Sequence, residues 1–395
     1  MDLKRVYLDN CVTTKPSKEA LDAMKIYTDE KFWFPGNFFS TGEEIASALK
    51  SFQETFSATI GAKPEEIHFT SSGTIANNIA IKGTLMANSG KGTHVIISNV
   101  DYPDILTNVA FFENSGFEVT YLECDTEGFV SADKLKAAIR PDTIMFMTSI
   151  ANHVVGTIQP VKEYSEVLKT ADHKIFFHAD ACQAYGKIPL NVDELGVNTM
   201  TISAHKIHGP QGVGALYIRK GTPVAPVIHG VKRVDVHNTG GINIAGIAGF
   251  IKAVEVAFEN FDDNVAYLRK LTDYILAKVE AEITHTSING ALGERRAPHN
   301  MNISFDYIEG EAITMMLDIN GITVATGSAC ASQGLQANYV LMAMKKTHVQ
   351  SHGSIKFTVS KYNTIEEIDY TIEKLKAVVD TLRSHSPLFI EKNGK

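Results

Sequence analysis

The chain has 395 residues, of which 44% are hydrophobic and 21% charged, and its formal net charge is −8. This length and balance indicate a folded, soluble protein that is too long for one small domain. Acidic and basic residues are interspersed without a Lys/Arg run, so nothing in the charge pattern favours nucleic acid as a partner. The N-terminus lacks the apolar stretch of a secretory signal, and no apolar run is long enough to cross a membrane. We therefore expect a cytoplasmic protein without a membrane partner.

The four cysteines are Cys11, Cys124, Cys182 and Cys330, and they are far apart in the chain. They form no CxxC pair, which argues against a disulfide framework and against a zinc site, so no metal is predicted. In a reducing compartment they are free thiols, and one or two of them suffice for any chemical role.

From about residue 16 to 220, helical and strand patterns alternate. Helical patterns cover Gly42 to Ile60, Thr74 to Met86, Asp104 to Ser115 and Val161 to Thr170. Between and after them lie the short β-rich runs HVIISN at 94, FEVTYLE at 117, TIMFMTSI at 143, KIFFHAD at 174, TMTISA at 199 and GALYIRK at 214. Strands separated by helices predict a mainly parallel sheet with helices on both faces, and near-continuous apolar runs fit strands buried on both sides.

The C-terminal part mixes strand and helix patterns. Residues Ile242 to Glu280 predict one long helix or two, and the strand-like runs NMNISF, ITVATGSA and SIKFTVS follow, with helical runs between them. The last helix has apolar residues at steps of three and four from Ile365 to Leu382, and Thr364 with Glu367 forms a capping box at its start. We predict a large α/β domain over 16–255 and a smaller α+β domain over 256–395, joined by the N-terminal segment 1–15.

The run SAHKIHGPQG, Ser203 to Gly212, follows a predicted strand and places Lys206 at its end. A lysine that forms a Schiff base must sit on a fixed backbone and be neutral part of the time, which burial and nearby positive charge favour. Ser203 and His205 are placed to donate hydrogen bonds to a phosphate. An isolated lysine is ordinarily a surface charge, so the flanking residues carry the prediction.

Two further motifs contain polar residues at predicted strand ends. HADACQ, His178 to Gln183, closes a strand with Asp180, and a carboxylate there is costly unless it is paired. A protonated pyridine nitrogen is one such partner, although a purely structural aspartate is an equal alternative. In FTSSGTIANN the strand enters a helix through Ser72, Gly73 and Thr74, whose amides and hydroxyls can form an anion cradle or serve only as a cap.

The order of cradle, aspartate and lysine resembles that of the class V aminotransferases, which are fold type I pyridoxal-phosphate enzymes, and the cysteine desulfurases of the NifS type most of all. The resemblance spans nearly the whole chain. It includes VYLDNCVTT at 6, GTIQP at 156, HADACQAYGK at 178, SAHKIHGPQGVGALYIR at 203, NMNISF at 300, GSACAS at 327 and the terminal TIEEIDYTIEKL.

The resemblance implies pyridoxal 5'-phosphate as cofactor and a role for each matching position. Lys206 would bind the cofactor covalently and later move the substrate's Cα proton, Asp180 would pair with the ring nitrogen, and Gln183 would contact the ring oxygen. The phosphate would be held by Gly73, Thr74, Ser203 and His205.

Cys330, in GSACAS, matches the family's sulfur-accepting cysteine on a mobile loop. A thiolate there would take sulfur from L-cysteine as a persulfide and leave L-alanine. The alternative is a small buried residue, which is the commoner fate of a free cysteine. The resemblance also implies a homodimer and an acceptor protein for the sulfur.

Several positions depart from the family pattern. Tyr102 replaces the histidine that stacks on the cofactor ring, and His153 replaces an asparagine that contacts the ring oxygen. Lys356 replaces the arginine that binds the substrate carboxylate, and lysine lacks the planar fork of arginine. Asn238 replaces a second arginine that comes from the partner subunit. We predict substrate contacts from Lys356 and from Asn10 in the VYLDNCVTT segment.

Three functions therefore remain open. The first is a cysteine desulfurase that stores sulfur on Cys330. The second is another enzyme on the same scaffold, a C–S lyase, a selenocysteine lyase or an aminotransferase, which the changes at Lys356 and Asn238 motivate. The third is a non-catalytic binding partner, against which the retained Lys206 and Asp180 argue.

Overall fold

The computed structural model describes residues 4–230, 237, 241–327 and 337–393. Within these residues the strands, numbered in chain order, are β1 Val6–Tyr7, β2 Ile67–Thr70, β3 His94–Ser98, β4 Glu118–Leu122, β5 Thr143–Ser149, β6 Phe176–Asp180, β7 Thr199–Ser203, β8 Gly214–Ile218, β9 Thr286–Asn289, β10 Asn300–Phe305, β11 Ile322–Thr323, β12 Ala325–Thr326 and β13 Ser354–Thr358.

The helices of the same residues are α1 Lys18–Lys25, α2 Ser40–Ala58, α3 Gly73–Asn88, α4 Pro103–Glu113, α5 Ala132–Ala138, α6 Val161–Lys169, α7 Val192–Leu195, α8 Ile244–Glu259, α9 Phe261–Glu282, α10 Gly310–Ile319, α11 Tyr339–Ala343, α12 His348–His352, α13 Ile365–Ser384 and α14 Pro387–Asn393. A π-helical turn, Ile26–Glu30, continues α1.

The larger sheet among the described residues has seven strands in the order β2-β8-β7-β6-β5-β3-β4. The strands β3 to β7 pair in parallel, whereas β8 is antiparallel to β7 and β2 is antiparallel to β8. Every residue of β3, β5, β6, β7 and β8 is buried, as expected for strands with helices on both faces. The predicted α/β fold is confirmed. The edge strand β2 is the strand predicted to enter the helix at the cradle motif, and only its antiparallel pairing with β8 was not predicted.

The smaller sheet is antiparallel, in the order β12-β13-β10-β9. Its apolar side chains join those of α9, α10 and α13 in a second core, to which Val6 and Leu8 of the N-terminal segment also belong. The stretch predicted as one or two helices is two, α8 and α9, which meet at Asn260. The capping box of α13 is present: Thr364 Oγ1 accepts from the Glu367 amide at 3.2 Å, and the Glu367 carboxylate accepts from the Thr364 amide at 3.2 Å.

The N-terminal segment connects the smaller sheet to the loop of Lys206. β1 pairs with β11, and the Asn10 amide N–H donates to the carbonyl of Thr358 on β13. Further along, the Thr14 amide and hydroxyl both donate to the carbonyl of His205 at 2.9 Å. A short stretch of chain thus fixes the position of the lysine loop against the C-terminal sheet.

The domain boundaries 16–255 and 256–395 stay a prediction. No helix of the described residues is long and apolar enough to cross a membrane.

A tight turn after β5 places His153 at the sheet edge. The Asn152 side-chain oxygen accepts from the amides of Val154 and Val155 at 2.9 and 3.0 Å, and the Gly156 amide donates to the Asn152 carbonyl. Gly156 has φ +76°, a left-handed conformation that a side chain makes unfavourable. A Cβ at this position would lie 3.0 Å from Asn300 Cβ and 3.1 Å from Arg296 Cγ.

We expect Gly156→Ala to destabilise the protein by about 1–2 kcal/mol for the left-handed backbone, and by about 1–3 kcal/mol more for crowding against buried neighbours. Urea unfolding at one fixed protein concentration measures the change. Gly221→Ala is the matched control, because Gly221 has φ +87° with nothing within 4 Å of the added Cβ. Equal losses in the two variants would contradict the crowding at Gly156.

Candidate active site

The carboxyl ends of β5, β6 and β7 meet at one edge of the larger sheet, where parallel α/β sheets place their ligand sites. A cavity of about 360 Å³ opens there. It is lined by Cys11, Val12, Ser72, Gly73, Thr74, Tyr102, Asp104, Ser149, Ala151, His153, Asp180, Cys182, Gln183, Ser203, His205, Lys206 and Lys356.

The structure brings most of the predicted site residues together in this cavity, from the cradle residues to Lys206 and Lys356. Asn10 lies outside the lining: it is buried, and its side-chain amide donates to the carbonyls of Thr358 at 2.7 Å and Tyr7 at 3.3 Å. Cys330 and Asn238 lie outside the described residues.

Lys206 is buried, at 7% exposure, in a short 3-10 turn that follows β7. Its ammonium group donates to the carbonyls of Cys11 at 2.5 Å and Val12 at 2.7 Å. Burial lowers the pKa of Lys206, and the nearby charge of Lys356 lowers it further. Cys11, Cys182 and Asp180 act in the opposite direction. The side chain is thus held in one place and is easier to deprotonate than a surface lysine.

Asp180 is a buried carboxylate at the end of β6. Its two oxygens accept from the Asn77 side-chain amide and from the Cys182 backbone amide, both at 2.8 Å. Burial raises the pKa of Asp180, and these two hydrogen bonds oppose the rise. Among the residues that the structure describes, no lysine or arginine forms an ion pair with it.

A chain of neutral groups supports Asp180 from behind. The Asn77 side-chain oxygen lies 3.0 Å from His178 Nε2, and His178 Nδ1 lies 2.9 Å from Thr199 Oγ1. Burial lowers the pKa of His178 to about 3, so the ring is neutral and donates through Nε2 to Asn77. This arrangement orients the Asn77 amide so that its NH₂ group faces the carboxylate.

The N-terminus of α3 forms the other end of the cavity. The first amides of a helix have no partner inside it, and the helix dipole makes this end positive. Ser72 caps α3 by accepting from the Ile75 amide at 3.1 Å. A Cβ on Gly73 would lie 2.9 Å from Cys182 Sγ and 3.3 Å from Ser203 Cβ, so only glycine allows this close approach.

Two further predicted residues already have hydrogen bonds in this structure. The Gln183 amide donates to the Cys11 carbonyl at 3.1 Å, and its oxygen lies 3.4 Å from His299 Nε2. His205 Nδ1 lies 3.2 Å from Thr13 Oγ1, and burial with two nearby lysines lowers the pKa of His205 to about 4. His205 is therefore a neutral donor or acceptor at the phosphate end of the cavity.

The wall near β3 and β5 carries the aromatic residues. The rings of Tyr102 and His153 meet edge to face with centroids 4.9 Å apart. The Tyr339 hydroxyl lies 3.3 Å from His153 Nε2 and donates to the Asp101 carbonyl at 2.6 Å. Lys356, on β13, donates to the carbonyl of His153 at 3.4 Å.

These residues fit pyridoxal phosphate at three points. The buried Asp180 has no ion pair with a lysine or arginine of the described residues, and it suits a protonated ring nitrogen. Lys206 is a buried amine that suits a covalent bond to an aldehyde. The open amides of α3, with Ser203 and His205 nearby, suit a phosphate dianion.

Sequence reasoning missed Asn77, Cys182 and Tyr339. Asn77 lies one helical turn after Gly73 on α3, and this spacing was the available signal that it faces the same side of the helix as the cradle. Tyr339 gave no such signal, because its contacts with Asp101 and His153 join segments that are about two hundred residues apart.

The chain is similar to known proteins over nearly its whole length. The aminotransferase class-V family matches residues 6–371. The cysteine desulfurase IscS of Dictyoglomus turgidum is 46% identical over 384 residues, which cover 97% of this chain and 97% of that protein. The cysteine desulfurase IscS of Methanosarcina thermophila is 40% identical over 385 residues, or 98% of this chain and 94% of that protein. A solved structure described as a NifS-like protein superposes with a TM-score of 0.90 at 31% identity, covering 96% of this chain and all of that chain.

These matches extend over nearly the entire sequence, and the family that they indicate has the predicted fold and the predicted cofactor. The chain therefore belongs to the class V aminotransferase family, in which it is a pyridoxal-phosphate enzyme of the cysteine desulfurase kind.

Proposed function

We propose that the protein converts L-cysteine to L-alanine and keeps the sulfur as a persulfide on Cys330. The observation that carries this proposal is that a buried Lys206 and a buried Asp180 line one cavity, while Asp180 forms no ion pair with any described lysine or arginine. Its support comes from relatives named cysteine desulfurases that match almost the full length of the chain.

Asp180 and Lys206 have different roles in this reaction. Pyridoxal phosphate, when bound, supplies a ring that withdraws electrons from the substrate's Cα. Asp180 would hold the ring nitrogen and would favour its protonated form. Lys206, whose pKa is lowered by burial, accepts and returns the Cα proton.

We propose that Lys356 binds the substrate carboxylate. Its hydrogen bond to the His153 carbonyl uses one of the three donors of the ammonium group, which leaves the others for a ligand in the cavity. Asn10 is proposed as an indirect contributor, since its side chain holds the Thr358 carbonyl two residues along β13 from Lys356. Lysine in place of a forked arginine also motivates the second candidate, another class V enzyme that acts on a different amino acid.

We further propose a homodimer that works in the cytoplasm and passes its sulfur to an acceptor protein. Three phenylalanines between the π-helical turn and α2 are strongly exposed: Phe32 at 66%, Phe39 at 72% and Phe38 fully. Such a concentration of exposed rings in one segment is typical of a covered interface. Cys11, Cys124 and Cys182 are free thiols, in keeping with a reducing compartment.

The reaction is tested by incubating the cofactor-loaded protein with L-cysteine and a reductant, and by measuring alanine, sulfide, pyruvate and protein-bound persulfide. We expect alanine and sulfide in equal amounts. Cys330→Ala should abolish sulfur transfer and leave the visible absorbance of the lysine-bound cofactor, whereas Lys206→Ala should remove that absorbance.

Cys124→Ala is the control for the thiol, because Cys124 is buried and does not line the cavity. It should keep full activity. Pyruvate in place of alanine would establish a β-eliminating lyase, and full activity of Cys330→Ala would rule out the persulfide on this residue.

Lys356→Met should lower kcat/KM for L-cysteine by about 10- to 100-fold, because a charged hydrogen bond to the carboxylate contributes roughly 1.5–3 kcal/mol. Lys356→Arg should keep most of the activity. The control is cysteamine, which lacks the carboxylate. If Lys356→Met weakens the binding of cysteamine as much as that of L-cysteine, Lys356 does not bind the carboxylate.

The double substitution Phe38→Glu with Phe39→Glu should convert the dimer into monomers, since it places charges where we expect a buried interface. Sedimentation velocity measures the change. The matched control is Met315→Glu with Ile319→Glu on α10, where the two side chains are 70% and 77% exposed. The protein with this double substitution should remain a dimer. Loss of the dimer in the control alone would place the interface on α10 instead.

A further inference from the structure

His299 is a buried histidine that contacts a residue of the cavity from behind. It is 1% exposed and is not part of the cavity lining. Its Nε2 lies 3.4 Å from the side-chain oxygen of Gln183 and 3.4 Å from Cys11 Sγ. Burial and three nearby lysines lower the pKa of His299 well below the ordinary value of a histidine, so the ring is neutral. It therefore carries one proton, on one of its two nitrogens.

The orientation of the Gln183 amide is fixed by an oxygen that can only accept. The amide nitrogen lies 3.1 Å from the carbonyl oxygen of Cys11. The reverse orientation would bring two oxygens into contact, so the NH₂ group must face this carbonyl. The side-chain oxygen of Gln183 then faces His299.

The contacts of His299 also decide which of its nitrogens is protonated. With the proton on Nε2, the ring donates to the Gln183 oxygen, and only the lone pair of Nδ1 has no partner among the described residues. With the proton on Nδ1, an N–H group and the Gln183 oxygen would both be buried without a partner, which costs more. A thiol is a weak donor, so a bond from Cys11 to Nε2 would not offset these two losses. The proton is therefore on Nε2.

Gln183 lies next to the amine that is proposed to carry the cofactor. The Cys11 carbonyl that accepts from Gln183 also accepts from Lys206 Nζ, at 2.5 Å. In pyridoxal phosphate the ring oxygen and the aldehyde are attached to adjacent ring carbons. A cofactor bound through Lys206 thus brings its ring oxygen close to the Gln183 amide, whose second N–H is not used by the Cys11 carbonyl.

We propose that His299 is a positioning residue for the cofactor. By donating to the Gln183 oxygen, it keeps the Gln183 NH₂ group turned toward the ring oxygen of the cofactor. Without this donor the amide can rotate and present its own oxygen, which repels the ring oxygen. The inference rests on the proposed role of Lys206 as the residue that carries the cofactor, and it holds for any amino-acid substrate.

The test is the pH midpoint at which the lysine-bound cofactor changes its visible absorbance as the Lys206 nitrogen loses its proton. The ring oxygen holds this proton by accepting from the nitrogen, and a second donor to the same oxygen weakens that hold. His299→Asn should therefore raise the midpoint by about 0.5–1 pH unit, as expected when one hydrogen bond to a charged oxygen is weakened.

His299→Gln is the matched control. The amide nitrogen of glutamine can take the place of Nε2, whereas the shorter asparagine places its amide near the position of Nδ1. His299→Gln should therefore keep the midpoint of the unmodified protein. Both substitutions put a neutral amide at the same buried position, so a general loss of packing would affect them alike.

Two further backgrounds show whether His299 acts through Gln183 or through Cys11. In Gln183→Ala, adding His299→Asn should cause no further change, because the group through which it acts is already gone. In Cys11→Ala, which keeps the backbone carbonyl, His299→Asn should still raise the midpoint in full.

The tautomer is measured without the cofactor. In the cofactor-free protein, ¹⁵N-labelled histidine should report a protonated Nε2 and an unprotonated Nδ1 for His299, with the signal assigned by its absence in His299→Gln. This measurement needs no variant to bind the cofactor.

The proposal is overturned by an unchanged midpoint in His299→Asn, by equal shifts in His299→Asn and His299→Gln, by a full further shift in the Gln183→Ala background, or by a protonated Nδ1. Failure of the proposed role of Lys206 gives a different result, because the unmodified protein then has no lysine-bound absorbance to titrate. Failure of the proposed cysteine reaction leaves the midpoints as expected here and shows only in the products.

Discussion

The whole site depends on keeping an amine and a carboxylate buried in one cavity without letting them satisfy each other. Lys206 is held by two backbone carbonyls, and Asp180 is held by a side-chain amide and a backbone amide. Each isolated charge is costly to bury, so the neutral partners supply the solvation that water would otherwise give. Both groups also line the cavity, so each remains available to interact with a cofactor bound there.

Neutral histidines recur around these charges. His178, His205 and His153 all have lowered pKa values, of about 3, 4 and 3, because each is buried among apolar groups or beside lysines. A neutral imidazole can donate on one side and accept on the other, so it fixes the direction of the hydrogen bonds next to it. His178 contacts the Asn77 side-chain oxygen and so orients the Asn77 amide. The Tyr339 hydroxyl contacts His153 Nε2 and helps to hold the His153 ring in place. These histidines thus supply hydrogen-bonding groups to the site without adding charge to it.

Much of this arrangement was predictable from local sequence. The buried strands, the capping box of α13 and the strand-end positions of Asp180 and Lys206 depend on neighbouring residues, and they were predicted correctly. The Lys206 carbonyl partners, the Asn77 bond and the Tyr339 contact join segments far apart in the chain, so periodicity carries no trace of them. The strands β2 and β8 were predicted, but their antiparallel directions were not, because the residues of a short strand do not fix the direction in which it pairs.

The N-terminal segment has a consequence for biosynthesis. Its first strand lies beside β11, Asn10 is bonded to β13, and Thr14 holds the loop of the reactive lysine. The ribosome makes Asn10 348 residues before it makes Thr358 of β13. The pocket is therefore incomplete on the nascent chain until β13 has been synthesised, so the walls that would hold the cofactor come together late in synthesis.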